Sequence, residues 1–158
     1  MRTGLLASFL LLFSVFSTAQ SYTTAVGLKG GSLGWGYGGV NLKHFFAGNL
    51  AVDATLGGGL NYLQSSVLLE WQHDTGITSG LEWYFGFGAI TGGRSGNFNV
   101  LNKSYTTGFF LSARGVVGLE YIVQEIPINV ALDLGPHFGI INNNRIGFGS
   151  AVAIRYYF

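Results

Sequence analysis

Cysteine is absent from the 158 residues, and charged residues make up only 9% of them. The lack of cysteine excludes disulfides, thiolate metal sites and a lipidated N-terminal cysteine. Ordinary soluble domains carry about 25% charged residues, so a chain with this composition would be a poor soluble protein. The formal net charge is +1 and there is no basic run, so we expect no nucleic-acid partner.

The first 19 residues are typical of a secretory signal peptide. Arg2 supplies a positive start, Leu5 to Phe16 form an apolar core, and Ser17-Thr18-Ala19 place small residues at the cleavage positions. An uncleaved anchor helix is the alternative, but the apolar run is shorter than the roughly 20 residues that a span needs. We therefore predict a signal peptide over 1–19 and one mature domain over 20–158.

The mature chain alternates apolar and polar or small residues with a period of two, and turn residues separate the runs. We predict eight strands, over 21–29, 36–46, 50–58, 65–73, 79–90, 108–123, 128–140 and 146–158. The connections alternate between tight turns, at 47–49, 74–78 and 124–127, and longer loops, at 30–35, 59–64, 91–107 and 141–145. This alternation indicates an all-β, antiparallel, up-and-down barrel.

The two faces of each strand distinguish a soluble barrel from a transmembrane one. One face of the last strand carries Phe148, Val152 and Ile154, whereas the other carries Gly147 and Arg155. Eight strands enclose a space just wide enough for side chains to fill, so the bulky faces of all strands cannot point inward. A soluble, lipocalin-like barrel would have a surface of mostly Gly and Ala. The pattern predicts an outward apolar band in lipid.

The same alternation assigns the charged residues. It places nine of them in the lumen as a charge network: Lys29, Lys43, Asp53, Glu70, Glu82, Arg114, Glu120, Asp133 and Arg155. The other five, Asp74, Arg94, Lys103, Glu125 and Arg145, fall in loops or turns. With tight turns, Lys43 is expected opposite Asp53 and Glu70 opposite Glu82. Arg114 is expected diagonal to Glu82, and Asp133 diagonal to Arg155.

The signal segment, the eight alternating strands and the terminal Ile154-Arg155-Tyr156-Tyr157-Phe158 resemble small outer-membrane β-barrel proteins of Gram-negative bacteria, of the OmpA-transmembrane-domain and OmpX type. The resemblance covers the whole mature chain. It implies an outer-membrane location with both termini in the periplasm and the longer loops outside. It also implies that Val152, Ile154, Tyr156 and Phe158 are an assembly signal read by the barrel-assembly machinery, and that outer-membrane lipid and lipopolysaccharide surround the barrel.

A catalytic interpretation of the sequence has little support. A carboxylate pair can serve acid–base chemistry, but a packed lumen offers no room for a substrate. Some eight-stranded barrels modify the acyl chains of lipid A, yet His137 has no serine within two residues. The three histidines have no metal-ligand spacing, and we predict no cofactor, no metal and no catalytic residue.

The sequence thus predicts a non-enzymatic, monomeric outer-membrane barrel with a structural or surface-interaction role. Loop 91–107, with Arg94, Lys103 and Tyr105, is the expected contact region for lipopolysaccharide phosphates, surface partners or ligands, because function on such scaffolds tends to lie in loops. A narrow channel and a lipid A-modifying enzyme are the alternatives.

Overall fold

The computed structural model describes residues 22–32, 37–59, 62–95, 98–100, 103–105, 107–142 and 146–158. The predicted signal peptide, 1–19, lies outside the described residues. Within the described ranges, no helix has the length and apolar character needed to cross a membrane.

Eight antiparallel strands close into a barrel in which neighbours along the chain are paired, and this confirms the predicted all-β, up-and-down fold. The barrel strands are β1 (Thr24–Ser32), β2 (Tyr37–Ala47), β3 (Leu50–Gly59), β4 (Tyr62–Asp74), β5 (Leu81–Arg94), β8 (Gly108–Val123), β9 (Ile128–Ile141) and β10 (Ile146–Tyr157). Between β5 and β8 lies a separate hairpin of β6 (Phe98–Val100) and β7 (Lys103–Tyr105). The barrel closes where β1 pairs with β10, with Ala25 opposite Tyr157.

The connections correct the predicted alternation of short turns and long loops. A loop was predicted over 59–64, but β3 and β4 continue to Gly59 and Tyr62, which pair with each other. Glycine weakens a strand, yet Gly57, Gly58 and Gly59 all stay paired within the ladder. The turn predicted at 74–78 instead spans 75–80, and the one long connection between described barrel strands is 95–107.

The two ends of the barrel differ in what they carry. The terminal end, as we call it, holds the start of β1, the finish of β10 and the links 48–49, 75–80 and 124–127. The hairpin end holds the other links, including 95–107 with its hairpin. The link 48–49 turns through Gly48, whose φ of 54° lies in the left-handed region that glycine tolerates.

The side chains are distributed as the alternation predicts, with bulky apolar residues outside and charged or small residues inside. On β10, Phe148 and Ile154 are 65% and 57% exposed, whereas Arg155 is 1% exposed. Successive strand residues point to opposite faces of a sheet, so each strand contributes one row to the lumen and one to the outer wall. The barrel is therefore polar within and apolar outside.

Glycines on the inner face make room for aromatic rings that cross the lumen. A Cβ added at Gly118 would overlap the Tyr84 ring and would also lie 2.8 Å from the backbone oxygen of Leu132. We expect Gly118→Ala to destabilise the barrel by about 1–3 kcal/mol, because an overpacked interior must shift its neighbours. Urea unfolding in detergent micelles measures this cost.

Gly38→Ala is the matched control for Gly118→Ala, because a Cβ at Gly38 would have nothing within 4 Å. This control should unfold at the urea concentration of the unmodified protein. Equal losses for the two variants would show that the inner-face glycine has no packing role.

Candidate functional site

Eight of the nine residues predicted to form the lumenal charge network are buried inside the barrel, each 2% exposed or less: Lys29, Lys43, Asp53, Glu70, Arg114, Glu120, Asp133 and Arg155. The ninth, Glu82, is only half-buried, and its carboxylate accepts a hydrogen bond from Gln72 Nε2 at 2.6 Å. Because an isolated buried charge is very costly, the burial of eight charges requires that they neutralise one another.

Within the described residues, seven ion pairs join these eight side chains into one unbranched series of alternating charge, which we call the ion-pair chain. It runs Arg114–Asp133–Lys29–Asp53–Arg155–Glu120–Lys43–Glu70, with nitrogen–oxygen distances from 2.5 to 3.4 Å. Four cations and four carboxylates balance. Each of the six inner members contacts two opposite charges, so no member between the ends depends on a single partner.

The ion-pair chain spans the lumen, because six of its seven ion pairs join strands that are not neighbours and only Arg114–Asp133 joins a neighbouring pair, β8 and β9. Arg155 on β10 reaches Asp53 on β3 at 2.7 Å and Glu120 on β8 at 3.4 Å. Its Nε also donates to Asn41 Oδ1 on β2. Long side chains therefore link strands from opposite walls of the barrel, and the ion pairs fill the space that a pore would need.

The predicted pairings of these charges are mostly wrong. Lys43 is opposite Asp53, as predicted, but its ion pairs run to Glu70 and Glu120. Glu70 is opposite Gly86, not opposite Glu82. The turn 75–80 begins one residue later and ends two residues later than the predicted turn, and this shift separates the two carboxylates.

The other two predicted contacts are also wrong. Arg114 is opposite Gly88 on β5, six residues from Glu82, and it binds Asp133 at 2.5 Å. Arg155 is opposite Asn129, not diagonal to Asp133. The Arg155 error arises because the prediction considered only neighbouring strands, whereas the partners of Arg155 lie on β3 and β8, across the lumen. The Arg114 error is one of register, because its partner Asp133 lies on the neighbouring β9.

Uncharged polar residues complete the network, and apart from their inward position no sequence pattern indicated their roles. Lys43 Nζ lies 4.4 Å from the centroid of the Tyr84 ring, a cation–π contact. Tyr84 is the contribution of β5, so every barrel strand supplies a side chain to this region. Asn41 donates to Asp53 Oδ1 at 2.9 Å, and Lys43 also binds Gln72.

Apolar clusters lie on both sides of the ion-pair chain. Toward the hairpin end, Ile90, Phe110 and Ala151 are buried together, with Tyr62 packed against them. Toward the terminal end lies what we call the terminal cluster, which consists of Tyr22, Ala25, Phe45, Ala51 and Ile122 with Tyr157 packed against it. Removal from water at both ends strengthens the ion pairs, because a low dielectric strengthens charge interactions.

Arg94 is not part of an exposed loop, which corrects the prediction that placed it among the loop contacts. It is the last residue of β5 and is only 7% exposed. Its guanidinium lies 4.2 Å from the centroid of the Phe110 ring inside the barrel. The predicted strand stopped at residue 90 because Gly92 and Gly93 follow, but both remain paired with β4.

Lys103 and Tyr105, the other predicted loop contacts, lie on β7 in the hairpin. The hairpin pairs Val100 with Lys103 and Phe98 with Tyr105, and the side chains of β7 lie outside what the structure describes. The predicted loop over 91–107 is thus shorter and partly ordered as a sheet.

The four residues of the predicted assembly signal, Val152, Ile154, Tyr156 and Phe158, lie on the outer face and are 48–68% exposed. The rings of Tyr156 and Phe158 lie 6.3 Å apart at the terminal end. Phe158 is fixed to β1, because its N–H donates to the oxygen of Thr24 at 2.9 Å. The four side chains form a continuous row on the outer face of the barrel, along β10 and the residue that follows it.

The described residues give little support for a catalytic or metal-binding site. Among the described residues, no group of three or more His, Asp or Glu side chains is arranged to hold a metal ion. The His137 ring lies inside the barrel, where a Cβ added at Gly147 would be 2.5 Å from it. A groove of about 860 Å³ lies on the outer wall, where Leu28, Val152 and Ile154 surround it, and the two charged residues of its lining, Lys29 and Arg155, have their side chains buried in the barrel.

Comparisons with known proteins agree with this architecture. Neither the protein-family models nor the curated proteins gave a match to the chain. Among solved structures, the chain is similar to the crystal structure of the N-terminal β-barrel domain of Pseudomonas aeruginosa OprF, with a TM-score of 0.67 and 13% sequence identity. The similarity covers 85% of this chain and 96% of that one. The predicted resemblance is thus confirmed at the level of the fold, and the chain is an eight-stranded antiparallel β-barrel of the kind formed by that OprF domain.

Proposed function

We propose that the protein is an integral outer-membrane barrel with a sealed lumen, a structural or surface-interaction role and no enzymatic activity. The observation that carries the proposal is the inverted distribution of side chains. Eight charged residues are 2% exposed or less, while large apolar residues such as Leu28 and Phe148 are more than 60% exposed. Soluble monomers rarely expose wide apolar patches, whereas a transmembrane barrel needs an outward apolar band.

The fold of the OprF domain supports an outer-membrane location. With an even number of strands, both ends of the barrel domain lie at the same end of the barrel, and here that end also carries the links 48–49, 75–80 and 124–127. We propose that this terminal end faces the periplasm, because barrels of this class have short periplasmic turns and longer extracellular loops. The hairpin end, with the link 95–107, then faces outside.

The surface-interaction role is assigned to the hairpin β6–β7 and its link. Lys103 and Tyr105 remain candidates for contact with lipopolysaccharide phosphates or a surface partner, whereas the buried Arg94 does not. The probe is purified lipopolysaccharide, added to the protein in detergent. Replacing residues 96–106 by a Gly-Ser linker should remove the protein's thermal stabilisation by lipopolysaccharide, and unchanged stabilisation would place the contact elsewhere.

The outward-facing row of side chains on β10 fits a role in biogenesis. Val152, Ile154, Tyr156 and Phe158 form this row, and we propose that the barrel-assembly machinery binds it before β1 pairs with β10. A Phe158→Ala variant should accumulate outside the outer membrane in cells, while it still folds into detergent in vitro. Normal accumulation in the membrane would contradict this role.

A narrow channel is the alternative that a polar lumen raises. The ion-pair chain fills the lumen, and the apolar clusters cover it at both sides, so we expect no single-channel current from the unmodified protein in planar bilayers. Steady conductance steps in that experiment would overturn the sealed-barrel proposal and favour the channel. A lipid A-modifying enzyme would instead change the mass of lipid A in cells that express the protein.

A further inference from the structure

Tyr22 departs from the alternation that governs the rest of the barrel. On β1 the odd-numbered residues point inward, as buried Ala25 and Lys29 show, and the even-numbered Val26 and Leu28 point outward. Continued alternation would place Tyr22 on the outer face. The chain bends at residue 23 instead, and the Tyr22 side chain enters the barrel, where it is only 6% exposed.

Inside the barrel, Tyr22 contacts both the terminal cluster and the ion-pair chain. Its ring stacks on Tyr157 with centroids 5.4 Å apart and meets Phe45 edge-on at 5.2 Å. Its hydroxyl donates to Glu120 Oε1 at 2.5 Å. Glu120 in turn binds Lys43 and Arg155, so Tyr22 lies between the ion-pair chain and the terminal end of the barrel.

The phenol is suited to this donor role. Burial, and then the charge of Glu120, raise the pKa of Tyr22 well above its ordinary value. The hydroxyl therefore keeps its proton at neutral pH and donates a hydrogen bond to the Glu120 carboxylate. A charge-assisted hydrogen bond of this kind is among the stronger ones in proteins, so it holds the ring inside the barrel.

Tyr22 differs from the other aromatic residues of the cluster in its backbone. Phe45 lies on β2 and Tyr157 on β10, and both are bound in the strand ladder. The pairing of β1 with its two neighbours begins at Thr24 and Ala25, and the first backbone hydrogen bond to β2 is at Thr23, whose oxygen accepts from the Phe45 N–H at 2.9 Å. The backbone of Tyr22 precedes all of these bonds, so Tyr22 can leave the lumen without breaking a hydrogen bond between barrel strands, whereas the backbones of Phe45 and Tyr157 are held by their strands.

We propose that Tyr22 is a movable stopper that closes the terminal end of the lumen, so that its withdrawal admits water and small ions to Glu120 and Lys43. The proposal deepens the sealed-barrel function and rests on it, since a stopper has meaning only where the lumen is otherwise closed. It assigns the control of access to the one aromatic residue of the terminal cluster that precedes β1.

The test uses the absence of cysteine from the chain, because a single introduced thiol can then be labelled specifically. Ala25 belongs to the terminal cluster and is 0% exposed, so Ala25→Cys reports on access past Tyr22. The rate of reaction with a small cationic methanethiosulfonate is measured on the folded protein in lipid vesicles. Adding Tyr22→Ala should raise this rate about tenfold, as expected when a local opening becomes easier by about 1.4 kcal/mol.

The matched control is Tyr156→Ala in the same Ala25→Cys background. Tyr156 is an aromatic residue at the same end, but it lies on the outer face, so its removal should leave the labelling rate unchanged. An unchanged rate for Tyr22→Ala would overturn the stopper. If Tyr22→Ala does not fold, Tyr22→Phe keeps the ring and removes only the bond to Glu120. That variant should still label several-fold faster, and an unchanged rate for it would overturn the proposal equally.

The failure of the stopper is distinguishable from the failure of the proposed function. Conductance steps from the unmodified protein would contradict the sealed barrel itself. If the unmodified protein gives no current and its Tyr22 variants label no faster than the parent, the sealed barrel stands and only the role of Tyr22 is contradicted.

Discussion

Replacing Arg155 by methionine is expected to lower the free energy of unfolding by about 3–5 kcal/mol, the usual cost of breaking a buried ion pair from one side. Arg155 contacts Asp53 and Glu120 in the middle of the ion-pair chain. Without it, three cations face four carboxylates in a region that excludes water. Urea unfolding in phospholipid vesicles, followed by the gel mobility of unheated samples, measures the loss.

Arg114→Met is the matched control for Arg155→Met, since both residues are buried arginines. Arg114 lies at one end of the ion-pair chain and contacts only Asp133 among its carboxylates, and Asp133 keeps its 2.8 Å contact with Lys29. Its replacement should therefore cost less than that of Arg155. Equal costs would contradict the linear arrangement of the chain.

A double-mutant cycle tests the pair directly. Asp53→Asn removes the carboxylate that Arg155 contacts at 2.7 Å. If the two are partners, the double variant should be more stable than the sum of the single losses predicts, by about 0.5–3 kcal/mol. Additive losses would show that the contact contributes no coupling energy.

Replacing Leu134 by arginine is expected to destabilise the barrel in vesicles by about 2–4 kcal/mol, which is the cost of a cation at the bilayer midplane on the outer face of such a barrel. Leu134 lies at the middle of β9, opposite Val117 and Ser150, and it is exposed on the outer wall. In water the same substitution on an exposed residue would cost little. The experiment therefore reports on the surroundings of the outer wall.

Ile77→Arg is the control for Leu134→Arg. Ile77 is also an exposed apolar residue, but it lies in the link 75–80 at the terminal end. A charge near the interface costs only about 0–1 kcal/mol, so this variant should unfold almost like the parent. Similar small losses for both arginines would mean that the outer wall is not in hydrocarbon.

The faces of the strands could be predicted from the sequence because each side chain's direction follows from a strict period of two. Arg155 was assigned to the lumen, and Ile154 to the outer wall, from their neighbours alone. The register could not be predicted in this way. A shift of the pairing by any even number of residues leaves every side chain on its own face, so the alternation of β5 is the same whether Glu82 or Gly86 lies opposite Glu70.

The partners of the lumenal charges were beyond the sequence for a different reason. Arg155 and Asp53 are 102 residues apart and come from strands that are not neighbours. Only the closure of the barrel and its narrow bore bring them within reach. Tyr22 was also missed, because its inward position depends on a bend at residue 23 that ends the alternation.

Depth-dependent quenching of tryptophan fluorescence shows whether the apolar outer wall lies in lipid. Trp71 and Trp83 lie on neighbouring strands of the outer wall with their rings among Phe85 and Phe87. A Trp35→Phe variant leaves these two as the only tryptophans. In vesicles of phospholipids brominated on their acyl chains, we expect strong quenching of this variant by the lipid and little quenching by iodide in the water. Strong quenching by iodide, with none by the brominated lipid, would contradict this expectation.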